Sequence, residues 1–276
     1  MEIKVSLINA EIGLKAMHAF FFNKNIQGQA QVVMPMSIEL HSAEHYRYLF
    51  YSCLLNYGMK STALHENLRH LYEQRPDFFS PNYIVEIYSN CYAELADILR
   101  SYIHVRYPNE CAKRWIGLST ILHTQYHDNP QEMFIGKSTY YEYKEVISQI
   151  KGLGQKTGGL LLRMLIDNDM LKSSNGIAEI PIDRHDVDLC IWLDVISDFT
   201  ADEIKKSKKI IKLLSDIWVQ AANNLSISPS LADQYLWIIG SEFCTLRNCV
   251  HCPIHHLCNR KELCVNEKSI YRRTDV

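Results

Sequence analysis

A strong charge of either sign is missing from this sequence. Its 276 residues carry 29 Lys and Arg against 31 Asp and Glu, a net charge of -2. No global basic field exists to draw it to nucleic acid, so any such contact must come from a local patch. Long apolar runs are missing too: none reaches the roughly 18 residues that span a bilayer, which excludes a helical membrane protein. Residues 1–22 show no basic stretch followed by a long apolar one, the mark of a secretory leader. The expected location is therefore the cytoplasm or nucleoid, or the nucleus of a eukaryote, and not the outside of a cell. Low-complexity tracts and internal repeats are absent. Period-two alternation is nearly absent after residue 40, which argues against sheet architectures.

What remains is helical. The chain is 47% hydrophobic, enough for a proper core, and apolar residues recur at helical spacing from about residue 42 onward. The pattern predicts helices over 43–55, 62–72, 83–102 and from Pro108 to about 126, the last started by a proline suited to a first turn. A polar break follows, then helices over 141–150 and 157–170 separated by a tight glycine turn. Further helices are expected over 185–195, over a Lys-rich stretch at 201–223, and over 231–243. The first 40 residues carry no clear pattern.

The turn between the predicted helices at 141–150 and 157–170 reads Lys151-Gly152-Leu153-Gly154-Gln155-Lys156. Two glycines around an apolar residue let the chain bend sharply and aim backbone N–H groups outward at a helix start, a concavity suited to a phosphate. The same turn also serves as an ordinary helical hairpin. Asp183 stands 27 positions after Lys156, at the head of the next helix and two before His185; an acid there is also a common N-cap.

Nine cysteines are many, and five of them crowd into residues 244–264. Cys244, Cys249, Cys252 and Cys258 offer four thiolates on one folded-back segment, which in a reducing compartment reads as a metal site rather than as disulfides. Thiolates are the ligands that cubane iron–sulfur clusters require. Zinc held by four cysteines, or by three with His251, His255 or His256, is the alternative. Cys264 is a fifth candidate that spacing does not exclude.

In this order, the Gly-Leu-Gly hairpin, Lys156, the Ile-Asp-x-His element at 182–185 and the cysteine run resemble the endonuclease III-like members of the helix-hairpin-helix DNA glycosylase superfamily. The resemblance covers about residues 43–264. It implies an all-α, two-domain fold: a helical barrel domain at 41–172 containing the hairpin, and a second helical domain from 1–40 and 173–276 carrying a [4Fe-4S] cluster loop. By the same resemblance Lys156 is the nucleophile and Asp183 its carboxylate partner. Lys151, Gly152, Leu153, Gly154, Gln155, His185 and Arg247 are the expected DNA contacts, and the four cysteines hold the cluster. The implied partner of the monomer is double-stranded DNA with a damaged or modified base. The implied reaction is base excision through a Lys Schiff base, with strand nicking by β-elimination. A monofunctional or substrate-shifted glycosylase, and a non-catalytic DNA-binding relative, are the alternatives.

Three features depart from the family pattern. The loop between Cys244 and Cys249 is shorter and keeps only Arg247 as a basic residue. Gly58 replaces the Gln that fills the gap in the duplex, which passes that role to Asn56, Tyr57 or Met59. The polar turn at 172–176 makes a longer insert between Lys156 and Asp183. The lysines at 205, 206, 208, 209 and 212, with Arg260 and Lys261, are possible electrostatic footing, although the Lys-rich helix reads first as a solvated face.

Overall fold

The computed structural model of the protein describes residues 3–22, 34–56, 61–174 and 176–260. The described residues form an all-α structure whose only pairing of extended chain is one antiparallel bridge, Val5 with Ile196. The chain divides into two compact units, Met1–Gly28 with Ile177–Val276, and Gln29–Gly176. It opens with α1 (Leu7–Phe21), a helix the sequence pattern did not announce, started by Ser6, whose hydroxyl accepts from the Asn9 N–H.

The unit spanning residues 29–176 holds α2 (Ala43–Leu54), α3 (Ser61–Gln74), α4 (Pro81–Tyr88), α5 (Tyr92–Ile103), α6 (Pro108–Tyr126), α7 (Tyr140–Ser148) and α8 (Gln155–Asp167). Between His45 and Leu54 every residue of α2 but Arg47 is buried, the signature of a helix at the centre of a core. Around it lies an aromatic nest: Tyr51 stacks on Trp115 with ring centroids 4.3 Å apart, and Tyr48 stacks on Phe79 at 5.4 Å. The polar edges are paired, as buried polar atoms must be. Trp115 Nε1 donates to the Phe78 carbonyl at 2.9 Å, and the Tyr51 and Ser119 hydroxyls share a hydrogen bond of 2.7 Å. The single helix expected over 83–102 is two, α4 and α5, broken at 89–91 without proline or glycine. Both pack on α6, and the Cys91 N–H turns back to the Tyr88 carbonyl at 3.0 Å so that each can do so.

The other unit adds to α1 the helices α9 (Arg184–Trp192), α10 (Ala201–Lys206), α11 (Lys208–Asn224) and α12 (Pro229–Ile238), which continues as a π-helical turn, Ile239–Cys244. Its core gathers Leu14, Met17, Val187, Leu214, Trp218 and Leu236. Cys190 belongs to it as a hydrophobe, its sulfur accepting from Trp218 Nε1 at 3.2 Å. The Lys-rich stretch is also two helices, because Ser207 caps α11 by accepting from the Ile210 N–H at 3.3 Å. That division lets Ile204 and Ile210 both face inward. Lys212 pairs with Asp216 at 2.6 Å and Glu179 at 3.6 Å, and Lys205 with Asp202 at 3.9 Å. These lysines form the solvated face of a helix pair, already partnered by acids.

Candidate nucleic-acid and metal sites

The hairpin between α7 and α8 is held from inside. Leu153 is buried, with Ile147 and Ile150, and Gly158 lets α8 approach so closely that a Cβ there would stand 3.2 Å from Ile147 Cγ2. Gly152 has φ +105°, and a Cβ there would meet Arg114 Cδ at 2.9 Å and Leu54 Cδ1 at 3.0 Å. Gly154 has ordinary backbone angles and open space beside it. A residue the sequence reading passed over fastens the turn: the Thr157 hydroxyl accepts from the Gly154 N–H at 3.1 Å and donates to the Gly152 carbonyl at 2.7 Å.

The two glycines are therefore unequal. Gly152→Ala is expected to destabilise by about 1–3 kcal/mol, from left-handed strain and overlap, and Gly154→Ala by less than about 1 kcal/mol. Urea unfolding of the two variants checks this, and equal losses would contradict it. If the turn approaches a phosphate, Gly154→Ala weakens DNA binding without the matching loss of stability.

Lys156, in the first turn of α8, is exposed, as are Gln155 and Gly154. This differs from the partial burial that a nucleophilic amine calls for. Lys151 is exposed and 3.6 Å from Glu110 Oε1, a carboxylate that Arg114 also binds at 3.1 Å. That Arg114 hydrogen bond is the main reason Glu110 ionises below the usual carboxylate range. Asn56 lies just past the end of α2, half-buried, its N–H on the Cys53 carbonyl at 3.1 Å. Tyr57, Gly58, Met59, Lys261 and Cys264 lie outside the described residues.

At the head of α9, Asp183 is the N-cap. Its Oδ1 accepts from the His185 N–H at 2.7 Å and the Asp186 N–H at 3.3 Å, while Asp186 Oδ2 accepts from the Asp183 N–H at 2.7 Å. This reciprocal pair fixes the backbone at the helix start. The π-helical turn closes on it, and Gly240 is what permits the approach: a Cβ there would stand 2.3 Å from His185 Cβ. Asp183 and His185 are both half-buried, whereas Asp186 is buried at 3% exposure. Burial first, and then the neighbouring Asp183 and Asp233, push the Asp186 carboxyl well above the usual carboxylate range. A raised affinity means that the folded protein binds more protons than the unfolded chain from about pH 4 upward, so stability falls as pH rises. Asp186→Asn is expected to flatten that slope, measured by urea unfolding of parent and variant at a series of pH values.

Cys244, Cys249, Cys252 and Cys258 line one cavity of about 280 Å³, with Trp192, Phe243, Ile254 and His255 as further wall and Arg247 and Arg260 contributing cations. Ile254 is buried in the core and ties this segment down, and the Asn259 N–H holds the Trp192 carbonyl at 2.9 Å. Arg260 lies over the Trp192 ring at 4.7 Å. Burial pushes the Cys244 thiol up to about 12, and Cys252 and Cys258 add to it because neighbouring thiolates repel. Cys249 is disulfide-bonded rather than a free thiol, which departs from the expected set of four thiolates. Among the described residues no three His, Cys, Asp or Glu side chains converge tightly enough to hold a single metal ion.

The described fold is similar to solved structures along nearly its whole length. A trapped covalent intermediate of endonuclease III with DNA, in an estranged-adenine complex, superposes with a TM-score of 0.59 at 16% identity, over 94% of this chain and 100% of that chain. The chain has the helix-hairpin-helix DNA glycosylase fold. A thermostable thymine-DNA glycosylase shares this glycosylase fold at a TM-score of 0.58 and 13% identity, over 93% of this chain and 98% of that one. No protein-family model and no curated protein sequence matches the chain. Among the described residues no helix is long and apolar enough to cross a membrane.

Proposed function

We propose that this protein is a DNA N-glycosylase that excises a damaged or modified base, with Lys156 as nucleophile and Asp183 as its carboxylate. The observation that carries the reading is the glycosylase fold over more than nine-tenths of the chain, with a lysine at the hairpin and an N-capping aspartate in the family's order. A glycosylase must turn the target nucleotide out of the stack to reach C1′. The start of α8, like any helix N-terminus, suits the phosphate that anchors such a strand. The Lys156 amine, once deprotonated, attacks C1′ and the bond to the base breaks, leaving a Schiff base from which the 3′ phosphate is eliminated. Asp183 takes the amine proton or stabilises the positive charge that develops on the sugar.

For the C-terminal segment we propose a [4Fe-4S] cluster held by Cys244, Cys252, Cys258 and, in its reduced form, Cys249. A single zinc draws four sulfurs to about 2.3 Å of one point, whereas in a cubane each thiolate binds its own iron, which suits cysteines spread around a cavity of about 280 Å³. When bound, the cluster supplies a rigid cross-link that fixes Arg247 and Arg260. Positive charge at the cluster relieves the repulsion that the thiolates impose on one another.

The exposure of Lys156 favours a second reading, because burial and nearby cations are what deprotonate an amine. In that case Asp183 activates a water and the enzyme releases the base without nicking. Duplexes carrying a panel of oxidised, deaminated and enzymatically modified bases, incubated with the protein and borohydride, separate the two. A covalent adduct supports the lysine route, and base release without an adduct supports the water route. No release from any duplex would sink the glycosylase reading.

A further inference from the structure

Asp186 has no part in the reaction sketched above, yet it is the most constrained acid among the described residues. Its side chain is 3% exposed, Oδ2 accepts the Asp183 N–H at 2.7 Å, and Oδ1 is a buried atom with no hydrogen-bond partner among the described residues. The titratable groups acting on it are Asp183 at its own N-cap, Asp233 from α12, and the Cys190 thiol one turn along α9. All are acidic. A buried carboxylate flanked by other acids is a configuration that desolvation and like charge both oppose.

We propose that Asp186 is a positioning residue for Asp183: Asp186 is the neutral member of the pair, its Oδ2 holding the Asp183 N–H, and Asp183 is the anionic member toward solvent. This rests on the reading of Asp183 as the glycosylase carboxylate. The division of roles follows from their surroundings. Asp183 is half-buried and accepts two N–H groups at a helix start, where the macrodipole favours an anion. Asp186 stands in the same first turn but is shut off from water. When Asp183 takes a proton, an O–H forms on Asp183 and an N–H of Lys156, or an O–H of water, breaks. The pair then passes from one proton to two and from charge −1 to 0, and releases the second proton to solvent on resetting. Were Asp186 also ionised, its charge would raise the proton affinity of Asp183 and hold it in the inactive acid form. The neutral neighbour keeps Asp183 a free base near neutral pH, and the N-cap hydrogen bond keeps it in place.

Two variants and one spectroscopic measurement test this. Asp186→Asn is permanently neutral and keeps an oxygen for the Asp183 N–H, whereas Asp186→Ala loses that acceptor. In single-turnover excision Asp186→Asn is expected to stay within about threefold of the parent near neutral pH and to keep the parent's acid limb, whereas an ionised Asp186 in the parent would make that limb move to lower pH in the variant. Asp186→Ala is expected to lose about 100-fold in rate, the scale of a misplacement near 1 Å, with DNA affinity unchanged. Equal impairment of both variants, or an alanine variant within threefold of the parent, would overturn the proposal. Carbon-13 carboxyl spectra of the protein alone should show one signal that keeps the protonated shift through the acid range and vanishes in Asp186→Asn. An ionised Asp186 at pH 6 overturns the pair whatever the activity. A protonated Asp186 with no excision from any duplex sinks the glycosylase reading and leaves the pair standing.

Discussion

Lys156→Gln is expected to abolish borohydride trapping and to slow base excision by on the order of 10³-fold or more, a barrier increase of about 4 kcal/mol. Duplex affinity should stay within a few-fold. Gln matches the length of much of the lysine stem but has no amine, so no bond to C1′ and no Schiff base can form. Unfolding cannot produce the same result. Lys156 is exposed in the first turn of α8, so its replacement should change stability by no more than about 1 kcal/mol in either direction. Binding loses one cation among several phosphate contacts, which appears as a small decrease in the salt dependence of affinity. Trapping lost while excision survives within tenfold would move the chemistry to a water activated by Asp183. Asp183→Asn then becomes the decisive variant, since it keeps the N-cap acceptor and removes only the charge.

Much of the hairpin turn was legible in the residues, and the gaps elsewhere have physical causes. Gly152 and Leu153 announced a turn because a left-handed residue and an apolar plug are local requirements, and the structure gives Gly152 φ +105° and buries Leu153. α1 escaped because its apolar residues surround it: Ile8 and Ile12 are exposed while Leu14 and Met17 are buried, so no stripe stands out. The breaks at 89–91 and Ser207 carry no proline or glycine. They exist because each half of the interrupted stretch has its own packing to satisfy. Asp186 was hidden for a different reason. An acid in the first turn of a helix normally reads as a solvated partner of the dipole, and only packing from α12, with Asp233, turns it into a buried one. Tertiary environment, not the local pattern, makes that residue unusual.

Cys252→Ser is expected to leave the purified protein without iron or visible absorption and to lower its stability by several kcal/mol. A bound structural metal adds its binding free energy to the fold, and a serine hydroxyl does not replace a thiolate on iron. The loss should spread along the segment, because Ile254 enters the core and the Asn259 N–H grips Trp192 only if the chain between the cysteines keeps its path. Arg247 and Arg260, which stand at the same cavity, then lose their positions, and DNA affinity is expected to fall about 10–100-fold, the scale of losing a metal site's support. Cys91→Ser is the matched control: Cys91 is an exposed free thiol, and its replacement should change stability by no more than about 0.5 kcal/mol. Iron analysis, thermal unfolding and titration of a duplex, run on both variants, separate the outcomes. An unchanged melting temperature in Cys252→Ser would mean that no metal supports this segment. One equivalent of zinc in the parent would replace the cluster with a single tetrahedral ion and require Cys244, Cys252 and Cys258 to draw inward around one point.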